Sequence, residues 1–283
     1  MTNLLFTSAA LMFLQVGPNP AANDTLGVPE ELRDRPARTQ VDQRSTLTEC
    51  LRQTTTNPQA ALDTAQRWRE YGETDLDFAQ SAHCLGLALV KLERMVEAQQ
   101  AFELASAEAS RVNVAYAARL AAMAGNAAVS GGDVEGAIAL LDRAGGMALA
   151  EGQNELAADL RVDLARVLVR AGRQDDAALA LAEAREADMM DAEAWLLSAT
   201  LSRRLERLGE AFDQIRRAAL LDPRNPQIGL EAGVIAALSG RGEDARASFE
   251  SVLRVAPGTP AAERAQSYLD QLNAPTEPEP IEE

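Results

Sequence analysis

Along most of the chain apolar residues recur every three or four positions, the period of a helix with one buried stripe. Short glycine-bearing breaks such as SGGD (130–133) and RAGRQD (170–175) divide this pattern into paired halves. The pairs themselves repeat. AWLLSATLSRRLERLGEAFDQIRRAALLDPRN (194–225) aligns without a gap on IGLEAGVIAALSGRGEDARASFESVLRVAPGT (228–259) at a spacing of 34, which places Ala211 on Ala245, Ile215 on Phe249 and Pro223 on Pro257. Proline cannot continue the hydrogen-bond ladder, so Pro223 and Pro257 end the second helix of their units.

The same frame runs upstream, with units beginning at Ala79, Ala118, Ala158, Ala192 and Pro226. Each carries a small residue in its first half, where two helices must touch: Gly86, Gly125, Ala165, Ala199 and Gly233. Each carries an alanine in its second half, Ala98, Ala137, Ala177, Ala211 and Ala245. Four positions later comes a large apolar wedge, Phe102, Leu141, Leu181, Ile215 and Phe249. Small residues let paired helices approach, and the wedge fills the gap between pairs. The first three unit starts are 39 and 40 residues apart, and the excess falls at SRVNVAYA and GGMALAEGQN, which predicts lengthened helices or loops there.

These residues resemble the tetratricopeptide repeat, whose pattern asks for Trp, Leu-Gly, an aromatic or apolar residue, then Ala, Phe, Ala and Pro at fixed offsets. The likeness covers residues 79–259. It implies an all-α, right-handed superhelical solenoid of antiparallel helix pairs, without cofactor, acting as a non-catalytic scaffold that binds a protein or peptide. The segment 46–72 looks like a degenerate first unit (45–78) with a short first helix and with Ala61, Ala65 and Trp68 in its second, where Pro58 suits the first turn. PAAERAQSYLDQL (260–272) reads as the capping helix that a repeat array needs.

The resemblance also implies a groove lined by the first helices. Carried over by alignment, its polar residues are Gln80, His83 and Lys91, then Arg119 and Asn126, then Arg166 and Arg170, then Arg203 and Arg204. Apart from Asp159 and Glu193 near the rim, these positions hold no acid, so the groove reads as a basic stripe suited to an acidic or C-terminal peptide segment. The opposing reading pairs the arginines with Asp163, Glu206 and other acids of neighbouring helices. Relatives that clamp a peptide carboxylate use Lys and Asn in consecutive units, and only Asn126 matches such a place. The acidic tail 273–283, NAPTEPEPIEE, has no apolar period, is expected to be disordered, and is a candidate occupant of the stripe.

Composition agrees with helix. Aromatic residues make up 4% of the 283 residues and alanine and leucine recur, which lowers the cost of helix and leaves little to build a sheet. A net charge of −16, from 43 acids against 27 bases, repels nucleic acid and anionic membrane, and no zinc-finger or RNP-type pattern is present. Phosphate-cradling glycine loops and nucleophile elbows are absent from the sequence too.

The only histidine, His83, adjoins Cys84, one of two cysteines, and two cysteines with one histidine do not make a closed zinc site. Cys50 and Cys84 lie 34 residues apart, one repeat period, on the first helices of adjacent units, which makes a disulfide geometrically open. Two buried thiols, or a Cys84 nucleophile with His83 as its base, are the alternatives. Near the start, LLFTSAALMFLQV (4–16) is too short to span a bilayer but suits the core of a secretory signal (1–22), followed by a proline-rich linker (23–44). A misassigned start, or an apolar helix packed on the fold, are the other readings. The expected compartment is the periplasm or outside the cell, with a cytosolic adaptor as the alternative.

Overall fold

The computed structural model describes residues 39–274, and the chain divides into two units, 1–45 and 46–283. Of the first unit only residues 39–45, the opening of a helix, are described; the apolar run 4–16, the linker up to residue 38 and the tail from residue 275 lie outside the described residues.

Thirteen α-helices and no strand occur among the described residues: α1 (Thr39–Thr56), α2 (Pro58–Tyr71), α3 (Asp75–Lys91), α4 (Met95–Ala109), α5 (Val114–Gly131), α6 (Val134–Ala150), α7 (Asn154–Arg170), α8 (Gln174–Ala187), α9 (Ala192–Arg204), α10 (Leu208–Leu221), α11 (Pro226–Leu238), α12 (Gly242–Val255) and α13 (Pro260–Asn273). From α3 onward they form five hairpins that stack in order, each helix packing mainly on its neighbours in sequence, with α13 closing the last pair. The fold is an all-α solenoid of helix pairs.

Inside each hairpin the turn is made the same way. A residue with positive φ follows the first helix (Glu93, Gly132, Gly172, Glu206, Gly240), and the next amide donates back to a carbonyl five residues earlier. The five bonds, Arg94 to Leu89, Asp133 to Ala128, Arg173 to Leu168, Arg207 to Ser202 and Arg241 to Ala236, are all 2.9 Å long. This Schellman closure satisfies carbonyls that a helix end leaves bare. Most first helices are capped at their start by side chains: Thr74 and Asp77 form a capping box on α3, and Asn113 accepts from the Tyr116 amide on α5, whereas α7 has no side-chain cap.

The small and large repeat residues meet as their sizes require. A Cβ added to Gly86 would lie 2.5 Å from Phe102, and one added to Gly233 would lie 2.3 Å from Phe249, so only glycine admits a phenylalanine wedge. At Gly125 the same atom would lie 2.9 Å from Leu141, while Ala165 and Ala199 already carry a Cβ opposite the smaller Leu181 and Ile215. All five alanines of the second helices, Ala98, Ala137, Ala177, Ala211 and Ala245, are fully buried.

The residues in excess of the 34 spacing extend helices. α3, α5 and α7 have 17, 18 and 17 residues against 13 for α9 and α11, and each begins four residues before the unit start read from the sequence. Two expectations need correction at the other end. The first helix of the degenerate unit is not short, and residues 39–44 are helical rather than linker, because no proline or glycine interrupts the chain between Pro36 and Pro58.

The degenerate α1/α2 pair is fastened to the hairpin after it at three places. A disulfide joins the fully buried Cys50 of α1 to Cys84 of α3, with Cα atoms 6.2 Å apart. Arg69 of α2 meets Glu108 of α4 in a two-pronged pair at 2.8 and 3.0 Å and also donates to the Phe78 carbonyl. Trp68 donates to Asp77. At the other end α13 buries Ala261, Ala262, Ala265 and Leu269, and Tyr268 stacks on Phe249 at 5.2 Å between ring centres.

Candidate functional site

The first helices carry every residue assigned to the groove, but their surroundings differ along the array. On α3, His83 and Cys84 point to different neighbours: Cys84 to α1 through the disulfide, His83 to α5, where its Nδ1 lies 2.9 Å from the Tyr116 hydroxyl. The two rings meet edge-on with centres 5.8 Å apart, and Phe102 lies below at 6.3 Å. Burial holds His83 down to about 4 and pushes Tyr116 up to about 12, so both are neutral at physiological pH.

His83 Nε2 and Gln80 Oε1 are buried with no hydrogen-bond partner among the described residues. The half-buried His83 ring thus rests against the next unit, with Nδ1 taken up by Tyr116. The covering residue, Tyr116, sits in the extra first turn of α5, which an alignment at a strict 34 spacing skips. Cys84, consumed in the disulfide, has no thiolate to offer as a nucleophile.

Towards the other end of the same two helices is a small cleft of about 180 Å³, lined by Leu87, Val90, Phe102, Met123 and Asn126. Asn126 is exposed at its edge; Lys91 and Arg119 are exposed and, among the described residues, make no ion pair.

Between α7 and α9 the arrangement is larger and charged. Ala165, Val169, Leu181, Leu197, Thr200 and Leu201 make the largely apolar lining of a cleft of about 340 Å³, and Arg166, Arg170 and Arg204 border it. Both helices run in the same direction along it. On α7 the residues Glu155, Asp159, Asp163, Arg166 and Arg170 follow one another at three- and four-residue spacing, and on α9 Glu193, Leu197, Thr200 and Arg204 do the same, so each lies on one helix face. Each stripe begins acidic and ends basic.

The basic stripe is thus corrected to a two-signed one. Arg166 bonds Asp163 at 2.7 Å and also pairs with Glu193 of α9; Arg203 bonds Glu231 of α11 at 2.6 Å, with both side chains largely buried. Arg170 and Arg204 are exposed and have no hydrogen bond or ion pair among the described residues, and Glu206, in the turn after α9, pairs with none of the arginines. At the opposite end Asp159 is exposed, and partial loss of hydration, reinforced by Asp191, Asp163, Glu193 and Glu155, raises its carboxyl above the usual carboxylate range. Sequence reasoning missed Tyr116, Glu155 and Asp191; the first two were signalled by the lengthened spacing, which adds the turns that hold them. Among the described residues no three His, Cys, Asp or Glu side chains are grouped to hold a metal, and no helix is long and apolar enough to cross a membrane.

No family model matches the sequence, and no curated protein does. Solved structures do match in fold. BtubC from P. vanneervenii aligns over 83% of this chain and 96% of its own, with TM-score 0.57 and 13% identity. PilF of Pseudomonas aeruginosa aligns over 80% and 97%, with TM-score 0.56 and 15% identity. YrrB, described as a TPR protein with an unusual peptide-binding site, aligns over 71% and 96%, with TM-score 0.51 and 22% identity. With five stacked hairpins, small-to-large packing at the repeat positions and these likenesses, the chain has the tetratricopeptide-repeat fold.

Proposed function

We propose that this protein is a non-catalytic interaction scaffold of the cell envelope that holds a protein or peptide segment on its first-helix face. The observation that carries the reading is the cleft between α7 and α9, where the exposed, unpaired Arg170 and Arg204 border an apolar lining. An apolar trough with a few polar groups placed at its edge is the usual form of a recognition site, and guanidinium forks suit carboxylates. The description of YrrB as peptide-binding is in keeping with it.

The buried Cys50–Cys84 disulfide supports an oxidising compartment, in line with the apolar run 4–16. The acidic tail 273–283 carries carboxylates that suit the arginine end alone, and removing it is expected to raise affinity for an added peptide whose carboxylate meets those arginines. The main test is affinity capture from an envelope extract with wild type and with an Arg170→Glu/Arg204→Glu variant. A partner retained equally by both would remove the cleft from the function, and a fully alkylated, disulfide-free protein in fractionated cells would remove the compartment.

A further inference from the structure

Resting on that groove reading, we infer that the α7/α9 cleft selects an extended segment carrying a basic and an acidic residue about five positions apart, and not a uniformly acidic one. Three observations carry this. First, the cleft has two poles. Arg170 and Arg204 stand at its basic end, and Glu155, Asp159, Asp163, Asp191 and Glu193 gather at the other, tied to the cleft lining through Arg166, which bonds both Asp163 and Glu193.

Second, neither pole is fully neutralised from within. Arg166 is the one base paired to that acidic group among the described residues, and the exposed Asp159 carboxyl is raised by partial loss of hydration and by the surrounding acids. A guest cation there relieves repulsion that the folded chain otherwise bears, just as a guest carboxylate completes Arg170 and Arg204. A doubly acidic guest satisfies one pole and is repelled by the other.

Third, the dimensions set the spacing that an extended guest needs. Asp159 and Arg170 are eleven residues apart on α7, which is about 16 Å of helix. Extended chain covers that distance in about five residues at ~3.3 Å each. A helical guest would need about eleven residues to join the same two poles, against about five for an extended one, and we take the extended form because it places both charges within one short segment. Small apolar residues between the charges would rest on Val169, Leu197 and Leu201.

The test uses the full chain and three fluorescein-labelled peptides, GSKAVLAEGS, GSEAVLAEGS and GSKAVLAKGS, with binding read by anisotropy at low ionic strength, where such charges are least screened. The mixed-charge peptide is expected to bind about five-fold more tightly than either like-charged one. Asp159→Asn is expected to narrow its advantage over the doubly acidic peptide to about two-fold. Equal or tighter binding of the doubly acidic peptide would overturn this inference and leave the groove reading standing, whereas no binding of any peptide would overturn both. A preference for mixed charge that survives Arg170→Ala/Arg204→Ala together with Asp159→Asn would place the selection elsewhere and refute the assignment to this cleft.

Discussion

The face between α3 and α5 and the face between α7 and α9 are built on the same repeat positions and do opposite things. In the first, His83 is pressed neutral against Tyr116, and Cys84, its neighbour, is committed to a disulfide. In the second, Arg170 and Arg204 project unpaired beside an apolar trough whose far end is acidic. The first is tied together around His83 and Cys84 and holds a weak end unit in place, with Lys91 and Arg119 exposed beside only a small cleft; the second sets its unpaired arginines against a larger apolar lining. The difference teaches that the repeat framework fixes where a side chain stands, while its partners decide whether it serves stability or recognition. Substitutions in the first region should therefore cost stability and spare binding, and substitutions in the second should do the reverse.

The largest expected effect is at the disulfide. Opening the 34-residue loop with Cys50→Ser/Cys84→Ser should lower stability by up to about 4 kcal/mol in the chain-entropy view. Urea unfolding measures the loss, and hydrogen exchange should locate it in α1 to α3; a variant as stable as wild type, or one that also loses peptide binding at α7/α9, breaks the contrast between the regions.

The next effect comes from pH. Because the folded state holds His83 near 4 and the unfolded chain near 6.5, only the unfolded state takes up its proton between those values. Stability from this residue is full above about 6.5 and falls as pH drops towards 4, by up to about 3 kcal/mol. His83→Phe should flatten that part of the stability curve, measured by denaturation at a series of pH values. An unchanged slope would mean that another group governs it.

A smaller cost is expected at Gly86→Ala, whose new methyl must displace Phe102. Overpacking of this kind costs about 1–3 kcal/mol, and Phe102→Leu in the same chain should recover part of it, since Ala165 and Ala199 already face Leu181 and Ile215. Thermal melts of the single and double variants decide whether the size pairing is general. Least of all for stability is Arg170→Ala/Arg204→Ala, expected to shift it by less than about 0.5 kcal/mol while weakening peptide binding. A large stability loss there would show that these arginines hold the fold.

Much of this was legible in the sequence. Gly86 with Phe102 and Gly233 with Phe249 stand at fixed offsets because each small-to-large contact lies within one hairpin, so local spacing records it. The disulfide was legible for a similar reason: a separation of one period puts Cys50 and Cys84 on adjacent first helices, although whether they faced one another was left open until α1 and α3 were placed. The contact of His83 with Tyr116 was not legible, since it depends on an added turn in α5 that breaks the period.

What the sequence determined by itself is the helical class, the hairpin period and the matched sizes at each crossing, all of which follow from residues a few turns apart. Only the tertiary structure decided which arginines are spent and which are available. Arg166 meets Glu193 and Arg203 meets Glu231 across 27 and 28 residues, from one first helix to the next. Such pairs depend on which way each helix face is turned, a rotation that packing against both neighbours sets and that apolar spacing alone leaves uncertain by a residue.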